Sequence, residues 1–270
     1  MKKIVVFIQA RMGSSRLPGK IIKKVDGKEL LILQVQRIMK AKTVNDVVVI
    51  TTKNVEDDEV FELCSDNSIN CYRGSELDLL DRHYQAAKFF KADFVVKIPS
   101  DSPLADSDII DKVLGLWINN PEKYDYVSNY HPPTFPDGLD VEGCPIEILE
   151  IAWKNATKGY EREHTFPYIW DNPNKFSIGN VINKHGNMFR AHRWTLDYLE
   201  DYYFLKNIFE NFTNNLNFKM KDVLDYLDKN PDVKKINKMH NGINWYRNVG
   251  ELKTVDRFQY KRENKSLKLS

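Results

Sequence analysis

Along the first half of the chain, short apolar runs alternate with stretches of helical period. Residues 4–8 (IVVFI), 47–51 (VVVIT) and 94–98 (FVVKI) are almost unbroken apolar runs. Runs of that length without alternation predict strands covered on both faces. Residues 70–73 predict a shorter strand. The amphipathic segments lie between these. Residues 28–40 carry Leu31, Val35 and Ile38 at helical spacing, an acidic helix is expected near 56–66, residues 78–90 put Leu79, His83, Ala87 and Phe90 on one face, and 107–118 align Ile109, Val113 and Trp117. Strands alternating with helices predict an α/β, Rossmann-like fold: a mostly parallel sheet with helices on both faces.

The second half is less regular. Residues 124–128 predict a strand, the Pro-rich stretch 131–137 a loop, and 139–146 an extended segment. Helices are expected at 147–157, 161–172, 199–212, 219–229 and 232–239. The simplest division is an α/β domain over 1–215 and a helical C-terminal appendage with a basic tail over 216–270. The tail is expected to fray from about Glu251.

Composition narrows the function classes. The 270 residues are 42% apolar, enough for a sizeable core, and carry a net charge of only +2. That balance calls for neither nucleic acid nor an anionic membrane as partner, so a phosphate ligand must be attracted by a local cluster of charge. Cys64, Cys71 and Cys144 form no CxxC pair and read as free thiols in a reducing cytoplasm. The opening apolar run is too short for a signal peptide and meets Arg11 at once. No stretch is apolar enough to span a bilayer.

The candidate chemistry starts where the first strand ends. Gln9, Ala10, Arg11, Met12, Gly13, Ser14, Ser15, Arg16, Leu17, Pro18, Gly19 and Lys20 put three cations, two glycines and two serines at the carboxyl end of a central strand. In open α/β sheets ligands bind there. Glycines let backbone N–H groups approach a polyanion, and Arg and Lys add fixed charge. The string has neither Walker nor GxGxxG spacing, and on its own it also fits a basic surface loop. With the later VDGKELL, QARMGSSRLPGK resembles the opening signature of the bacterial sugar-acid cytidylyltransferases. The nearest branch is the spore coat polysaccharide biosynthesis protein F type, and the octulosonate and acylneuraminate cytidylyltransferases are relatives. The resemblance implies that Arg11, Arg16 and Lys20 contact the triphosphate of CTP. Ser14 and Ser15 would lie nearby, with Gln9, Ala10 and Gly13 in the same wrap. RGSE followed by LDRHYQAA is similar to a second block of that family. It implies that Gly74 and Ser75 lie over the cytosine and that an Asp-Arg pair ending in Arg82 orders the pocket.

Two aspartates complete the expected centre. Ser100-Asp101-Ser102-Pro103-Leu104 looks like the family block GDxPL, whose Asp binds magnesium beside the α-phosphate. Arg193-Trp194-Thr195-Leu196-Asp197 resembles the block whose Asp completes that metal site. Tyr198 and Leu199 stand where the family has Thr-Pro. Read without the resemblance, Asp101 is a turn residue or helix cap, and Glu200 and Asp201 belong to a first helical turn. Magnesium takes oxygen ligands and is typically held by one or two carboxylates together with substrate phosphates.

FPDGLDVE and EREH also resemble family blocks and supply the expected acceptor side: Asp137, Asp140, Glu142, Arg162 and His164. Asp140 and Glu142 fall on one side of a strand. Glu161, Arg162, Glu163 and His164 are consecutive, so on a helix they do not share a face and make a poor second metal site. Arg162 or His164 facing an anionic acceptor and a salt-bridged helix start both remain open. His164 as a general base is a further option. His83, His131, His185 and His240 read as structural or exposed. Trp245, Tyr246 and Arg247 are placed against a partner subunit, since the resemblance implies a homodimer.

The reading that joins these parts is a magnesium-dependent, CTP-using cytidylyltransferase that releases pyrophosphate. Its partners are CTP and a small acidic acceptor, a sugar acid or a phosphorylated metabolite. One alternative is a glycosyltransferase with a nucleotide-sugar donor, although an Asp-x-Asp motif is absent at Asp101. The other is a non-catalytic nucleotide-binding partner protein.

Overall fold

The structure is a computed structural model that describes residues 2–213 and 215–256. Its centre is a seven-stranded sheet in the order β5-β4-β1-β6-β8-β7-β9. The strands are β1 (Ile4–Gln9), β4 (Asp46–Thr52), β5 (Asn70–Gly74), β6 (Phe94–Lys97), β7 (Tyr126–Ser128), β8 (Glu142–Pro145) and β9 (Ile178–Asn180). β1 pairs in parallel with both β4 and β6, and only β8 runs against its neighbours.

Each apolar run is buried because helices cover both faces. Ile4, Val6, Ile8, Val47, Val49 and Val96 point to one core, and Val5, Phe7, Val48, Ile50 and Val95 to the other. The first is closed by α1 (Leu30–Ile38), α2 (Asp58–Asp66), α4 (Ser107–Ile118), α8 (Leu199–Asn211) and α9 (Met220–Lys229). The second is closed by α3 (Leu79–Phe89), α5 (Ile146–Asn155) and α7 (Pro167–Trp170). Val5, Val6, Phe7 and Ile8 are fully buried, each contributing about 1.5–3 kcal/mol of burial free energy. β1 is therefore a rigid base for the turn that follows it.

Several expected elements differ in extent. The helix placed at 28–40 starts only at Leu30, because Lys24–Val25 (β2) and Lys28–Glu29 (β3) form a small hairpin in front of it. Asp26 and Gly27 turn it with φ of 51° and 77°, the positive pair that an Asp-Gly hairpin favours. The helix expected over 161–172 is two, α6 (Gly159–His164) and α7, because Thr165 takes φ 73° and Pro167 opens a new first turn. The extended segment 139–146 holds a strand only over β8, and α5 already begins at Ile146. The expected helix at 232–239 is α10 (Pro231–Lys235) followed by a separate single turn at Lys238–His240. β9 was not expected at all.

The C-terminal segment packs into the main body. Phe218, Val223 and Leu227 share a core with β1 and α1. Arg37 of α1 is buried beneath this segment and donates to the carbonyls of Leu216, Leu104 and Phe218. Residues 251–256 do not fray as expected: Asp171 accepts from the backbone N–H groups of Lys253 and Thr254, and Leu252 and Val255 pack on the second core. The rest of the expected basic tail lies outside the described residues. Within the chain, Tyr246 is 1% exposed and packs against Trp170 and Tyr130, and Trp245 lies beside it.

Gly138 has φ 104°, and a Cβ there would sit 2.7 Å from the backbone of Trp194 and Thr195. This close approach seats the 137–142 segment against residues 192–197, where Asp137 N–H donates to His192 O and Trp194 N–H to Asp137 O. Gly138→Ala is expected to cost about 1–3 kcal/mol or more in a denaturant titration. An unchanged midpoint would mean that the contact is not tight.

Candidate active site

The turn after β1 is tied down from within. Leu17 and Ile21 are buried, Ser14 N–H donates to Met12 O (2.8 Å), and Met12 N–H donates to Asp57 Oδ1 (2.7 Å). Asp57 also accepts from the Thr52 hydroxyl at the end of β4. With its anchors inside, the turn leaves Arg11, Gly13, Ser15 and Arg16 exposed. Ser14 is half-buried, its hydroxyl oxygen facing Leu17 N–H at 3.4 Å.

Lys20 closes the turn and reaches across the sheet edge. Its Nζ lies 2.9 Å from Asp197 Oδ1 and 3.6 Å from Asp101 Oδ2, and it donates to Leu196 O at 2.6 Å. Arg16 Nη2 sits 2.9 Å from the same Asp197 oxygen. Asp101 follows β6 and Asp197 precedes α8, so two segments 96 positions apart meet at one ammonium. The backbone fixes that meeting: Asp101 O accepts from Leu196 N–H (2.8 Å) and from the Thr195 hydroxyl (3.0 Å). Burial acts to raise the Asp197 carboxyl, but Lys20, Arg16 and Arg193 outweigh it and hold it below the ordinary range. Burial raises Asp101, with Lys20 opposing and Asp197 adding to the shift.

Arg193 forms a second anchor. Its side chain is 1% exposed and contacts Asp201 (Nε–Oδ1 3.0 Å), Asp137 (3.3 Å) and Asp197 (3.3 Å). Asp201 Oδ2 accepts from the backbone N–H groups of Asp197 and Tyr198 at 3.0 Å each. Asp201 thus caps α8 and shapes the loop that presents Asp197. Neither Arg193 nor Asp201 was singled out as functional from the sequence, and nor was Asp57. The Asp four residues after Asp197 was the available signal.

Of the expected acceptor residues, Asp137 joins this group through Arg193. Burial pushes its carboxyl up to about 7 against the pull of Arg193, aided by Asp197 and Asp101. Asp140 is half-buried and makes no hydrogen bond or ion pair among the described residues. Burial, then Asp137 and Glu142, lifts its carboxyl well above the usual range. Glu142 is buried in a closed set of partners: Lys97 Nζ at 3.1 Å, the Tyr126 hydroxyl at 2.5 Å and His131 Nε2 at 3.6 Å. Arg162 turns away from the site and binds Asp78 and Trp153 O. Glu161 caps its own helix by accepting from Thr157 and Lys158 N–H. His164 stacks on Trp245 at 3.7 Å, and its carbonyl accepts from Lys97. Burial lowers the His164 imidazole to about 3, so it is neutral near pH 7.

On the other side of the turn, Asp78 caps α3 by accepting from Asp81 N–H (2.8 Å), and Ser75 Oγ accepts from Asp78 N–H (3.1 Å). Gly74 is required by packing, since a Cβ would lie 2.9 Å from Arg82 Cγ. Asp81 accepts from Trp153 Nε1 and from Gln85 Nε2, and Arg82 is buried against Gly74.

Among the described residues, no group of three or more His, Cys, Asp or Glu side chains is placed to hold a metal ion, and no helix is long and apolar enough to cross a membrane. Asp101 and Asp197, two carboxylates beside a cationic turn, are a donor set of the kind that suits magnesium, whose remaining positions substrate oxygens and water would complete.

Comparison with known proteins fixes the family. The profile of the family described as "Cytidylyltransferase" matches residues 5–253. The chain belongs to the cytidylyltransferase family. This cytidylyltransferase is similar to the solved structure of a cytidylyltransferase from Leptospira borgpetersenii, with TM-score 0.82, 34% identity, and coverage of 86% of this chain and 97% of that one. It is 28% identical to the spore coat polysaccharide biosynthesis protein SpsF of Bacillus subtilis, over 86% of this chain and 97% of the relative. It is 31% identical to a 3-deoxy-manno-octulosonate cytidylyltransferase of Chlamydia trachomatis, over 63% and 66%. The mostly parallel sheet is that of the nucleotidyltransferases, and the chain is a CTP-dependent enzyme of that class.

His83 gives this site region a pH signature. It is 0% exposed behind β1, its Nδ1 lies 2.8 Å from Leu79 O, and burial lowers its imidazole to about 3. A depressed histidine stabilises the fold fully above the unfolded value near 6.5 and loses that contribution as pH falls toward about 3. The loss is about 2 kcal/mol at pH 5. Stability is expected to fall from pH 7 to pH 5 by chemical denaturation, and by about that much less in His83→Gln. Identical slopes for the two proteins would contradict a buried neutral imidazole.

Proposed function

We propose that this cytidylyltransferase moves CMP from CTP onto a small acidic acceptor, a sugar acid or phosphorylated metabolite used in surface polysaccharide synthesis. Lys20, Arg16 and Arg11 hold the triphosphate, and Asp101 and Asp197 hold magnesium. The observation that carries this reading is the Lys20 ammonium in contact with both aspartates, 3.6 and 2.9 Å away, at the carboxyl edge of β1 and β6. An acceptor oxygen attacks the α-phosphorus, the bond from that phosphorus to the bridging oxygen breaks, and pyrophosphate leaves with the electron pair. Bound magnesium supplies neutralisation of the phosphate charge that builds in this step.

The chain's own groups position the reactants. Arg16 and Arg11 are exposed on the turn and meet the polyphosphate first. Arg193 and Asp201 fix the backbone that carries Asp197. The acceptor approaches from the side of Asp137 and Asp140. Burial raises both carboxyl groups, Asp137 to about 7, which lessens their repulsion of an anionic acceptor. The likeness to a polysaccharide biosynthesis protein and to an octulosonate cytidylyltransferase supports the acceptor class.

Pyrophosphate release with CTP and magnesium across a panel of sugar acids and phosphorylated metabolites tests this. Turnover is expected with CTP in preference to ATP, GTP and UTP. Asp101→Asn and Asp197→Asn, with melting temperatures near that of the parent, are each expected to lower it by about three decades. Arg162→Ala is expected to leave KM for the acceptor within about threefold, because that guanidinium is turned to Asp78. Full turnover in either asparagine variant, or without a divalent ion, would overturn the assignment.

A further inference from the structure

The segment after α10 reaches the charged centre. Asn237 is 2% exposed, and its Nδ2 donates to Arg193 O (2.8 Å) and to Asp201 Oδ1 (2.9 Å). His240 N–H donates to Asn237 O (3.0 Å), which seats the single turn Lys238–His240 on the loop of Asp197. The His240 side chain is buried as well. Its Nε2 lies 3.1 Å from Glu200 Oε2, and its ring stacks on Tyr198 with centroids 3.9 Å apart and planes 6° apart. An imidazole tied in this way does not turn freely, so it holds the Tyr198 ring in one orientation.

That ring meets the cations of the site. The Arg16 guanidinium carbon stands 5.6 Å from its centroid, while Arg16 Nη2 lies 2.9 Å from Asp197 Oδ1. The Arg193 guanidinium carbon is also 5.6 Å away, but that side chain is 1% exposed and engaged with three aspartates. Of the two, Arg16 is the one that reaches solvent, with its side chain 41% exposed. A guanidinium within about 6 Å of an aromatic centroid is attracted by the ring quadrupole. It can rest a face on the ring while its edge donates to phosphate oxygens. A carboxylate in that place would occupy the N–H donors and repel a polyanion, and a neutral ring does neither.

We infer that Tyr198 is a positioning residue for the triphosphate. Its ring, held by His240 of the C-terminal segment, keeps Arg16 aimed at the phosphates when Arg16 exchanges Asp197 for them. A long exposed arginine has much rotamer freedom to lose on binding, and a ring that restricts it beforehand reduces that cost. This inference rests on the reading that the turn binds the triphosphate, and it adds the group that tunes one of its cations.

Calorimetric titration of the full chain with inorganic tripolyphosphate and with CTP, each with magnesium, tests it as a double-mutant cycle. The proteins are the parent, Tyr198→Phe, Tyr198→Leu, Arg16→Gln, and Tyr198→Leu combined with Arg16→Gln. Tyr198→Leu is expected to weaken tripolyphosphate by about two- to fivefold, the size of an exposed cation–ring contact. Tyr198→Phe keeps the ring and is expected to stay within about 1.5-fold of the parent. In the Arg16→Gln background the leucine change is expected to cost less than about 1.5-fold, because the two side chains act as a coupled pair. Should Tyr198→Leu fail to fold, Tyr198→Met takes its place in the cycle. Equal weakening by the leucine change in both backgrounds overturns the inference and makes Tyr198 a support of the loop alone. Unchanged affinity in Tyr198→Leu, or equal weakening in Tyr198→Phe, also overturns it. In each of these cases the parent still binds CTP and the triphosphate reading stands. A parent that binds neither CTP nor tripolyphosphate sinks that reading and this inference with it.

Discussion

One ammonium group organises the centre of this enzyme. Lys20 lies between Asp101 and Asp197, with its side chain 12% exposed, and the carboxylates it joins come from opposite ends of the fold. Two carboxylates held this close repel each other unless a cation stands between them. Removing one partner from such a partly desolvated set leaves charge uncompensated, which costs about 3–5 kcal/mol when the group is fully buried. The same electrostatics suits a divalent ion with a polyphosphate: the carboxylates keep a cation, and the lysine and Arg16 gain an anion.

The rest of the fold keeps those charges where they are. β1 is buried on both faces and delivers the turn without freedom to tilt. Leu17 and Ile21 hold the turn's apolar side, and Asp57 holds its backbone at Met12. Across the sheet edge, Arg193 binds Asp137, Asp197 and Asp201 at once, so one buried guanidinium sets the loop of Asp197 and the loop of Asp137 in a common frame. Gly138 permits the close approach of those two loops. Burial around them raises Asp137 and Asp140 while their cationic neighbours depress Asp197. Carboxyl groups in one site are thus shifted in opposite directions, Asp197 down by its cations and Asp101, Asp137 and Asp140 up by burial.

Much of this was legible in the residues. Buried strands declare themselves as apolar runs, and the cations after residues 4–8 include Lys20 and Arg16, which the fold brings to Asp197. The similarity of QARMGSSRLPGK, RGSE and the two aspartate blocks to one family pointed to the nucleotide, and the family assignment bears out that recognition. Long-range packing decided what the sequence left open. Of the two readings open for EREH, the salt-bridged one describes Arg162, which pairs with Asp78, 84 positions away in the chain, while Glu161 caps its own helix start. Arg193 and Asp201 look like an ordinary helix entry until the fold brings Asp137 to them. Thr165 broke a helix whose apolar period suggested continuity, because a single residue at positive φ is invisible to periodicity. The Asp-Gly hairpin at 26–27 had a local signal that the stronger helical pattern beside it masked.

The central claim is that Asp101 and Asp197 share one divalent ion once the nucleotide is bound, with Lys20 passing from the carboxylates to the phosphates. An anomalous difference map from crystals grown with manganese and CTP tests this directly. The account predicts a single peak within about 2.2 Å of a carboxylate oxygen from each aspartate and a Lys20 ammonium bonded to a phosphate oxygen. A peak bound to only one of the two, or a Lys20 still bridging both aspartates beside a bound triphosphate, would contradict it.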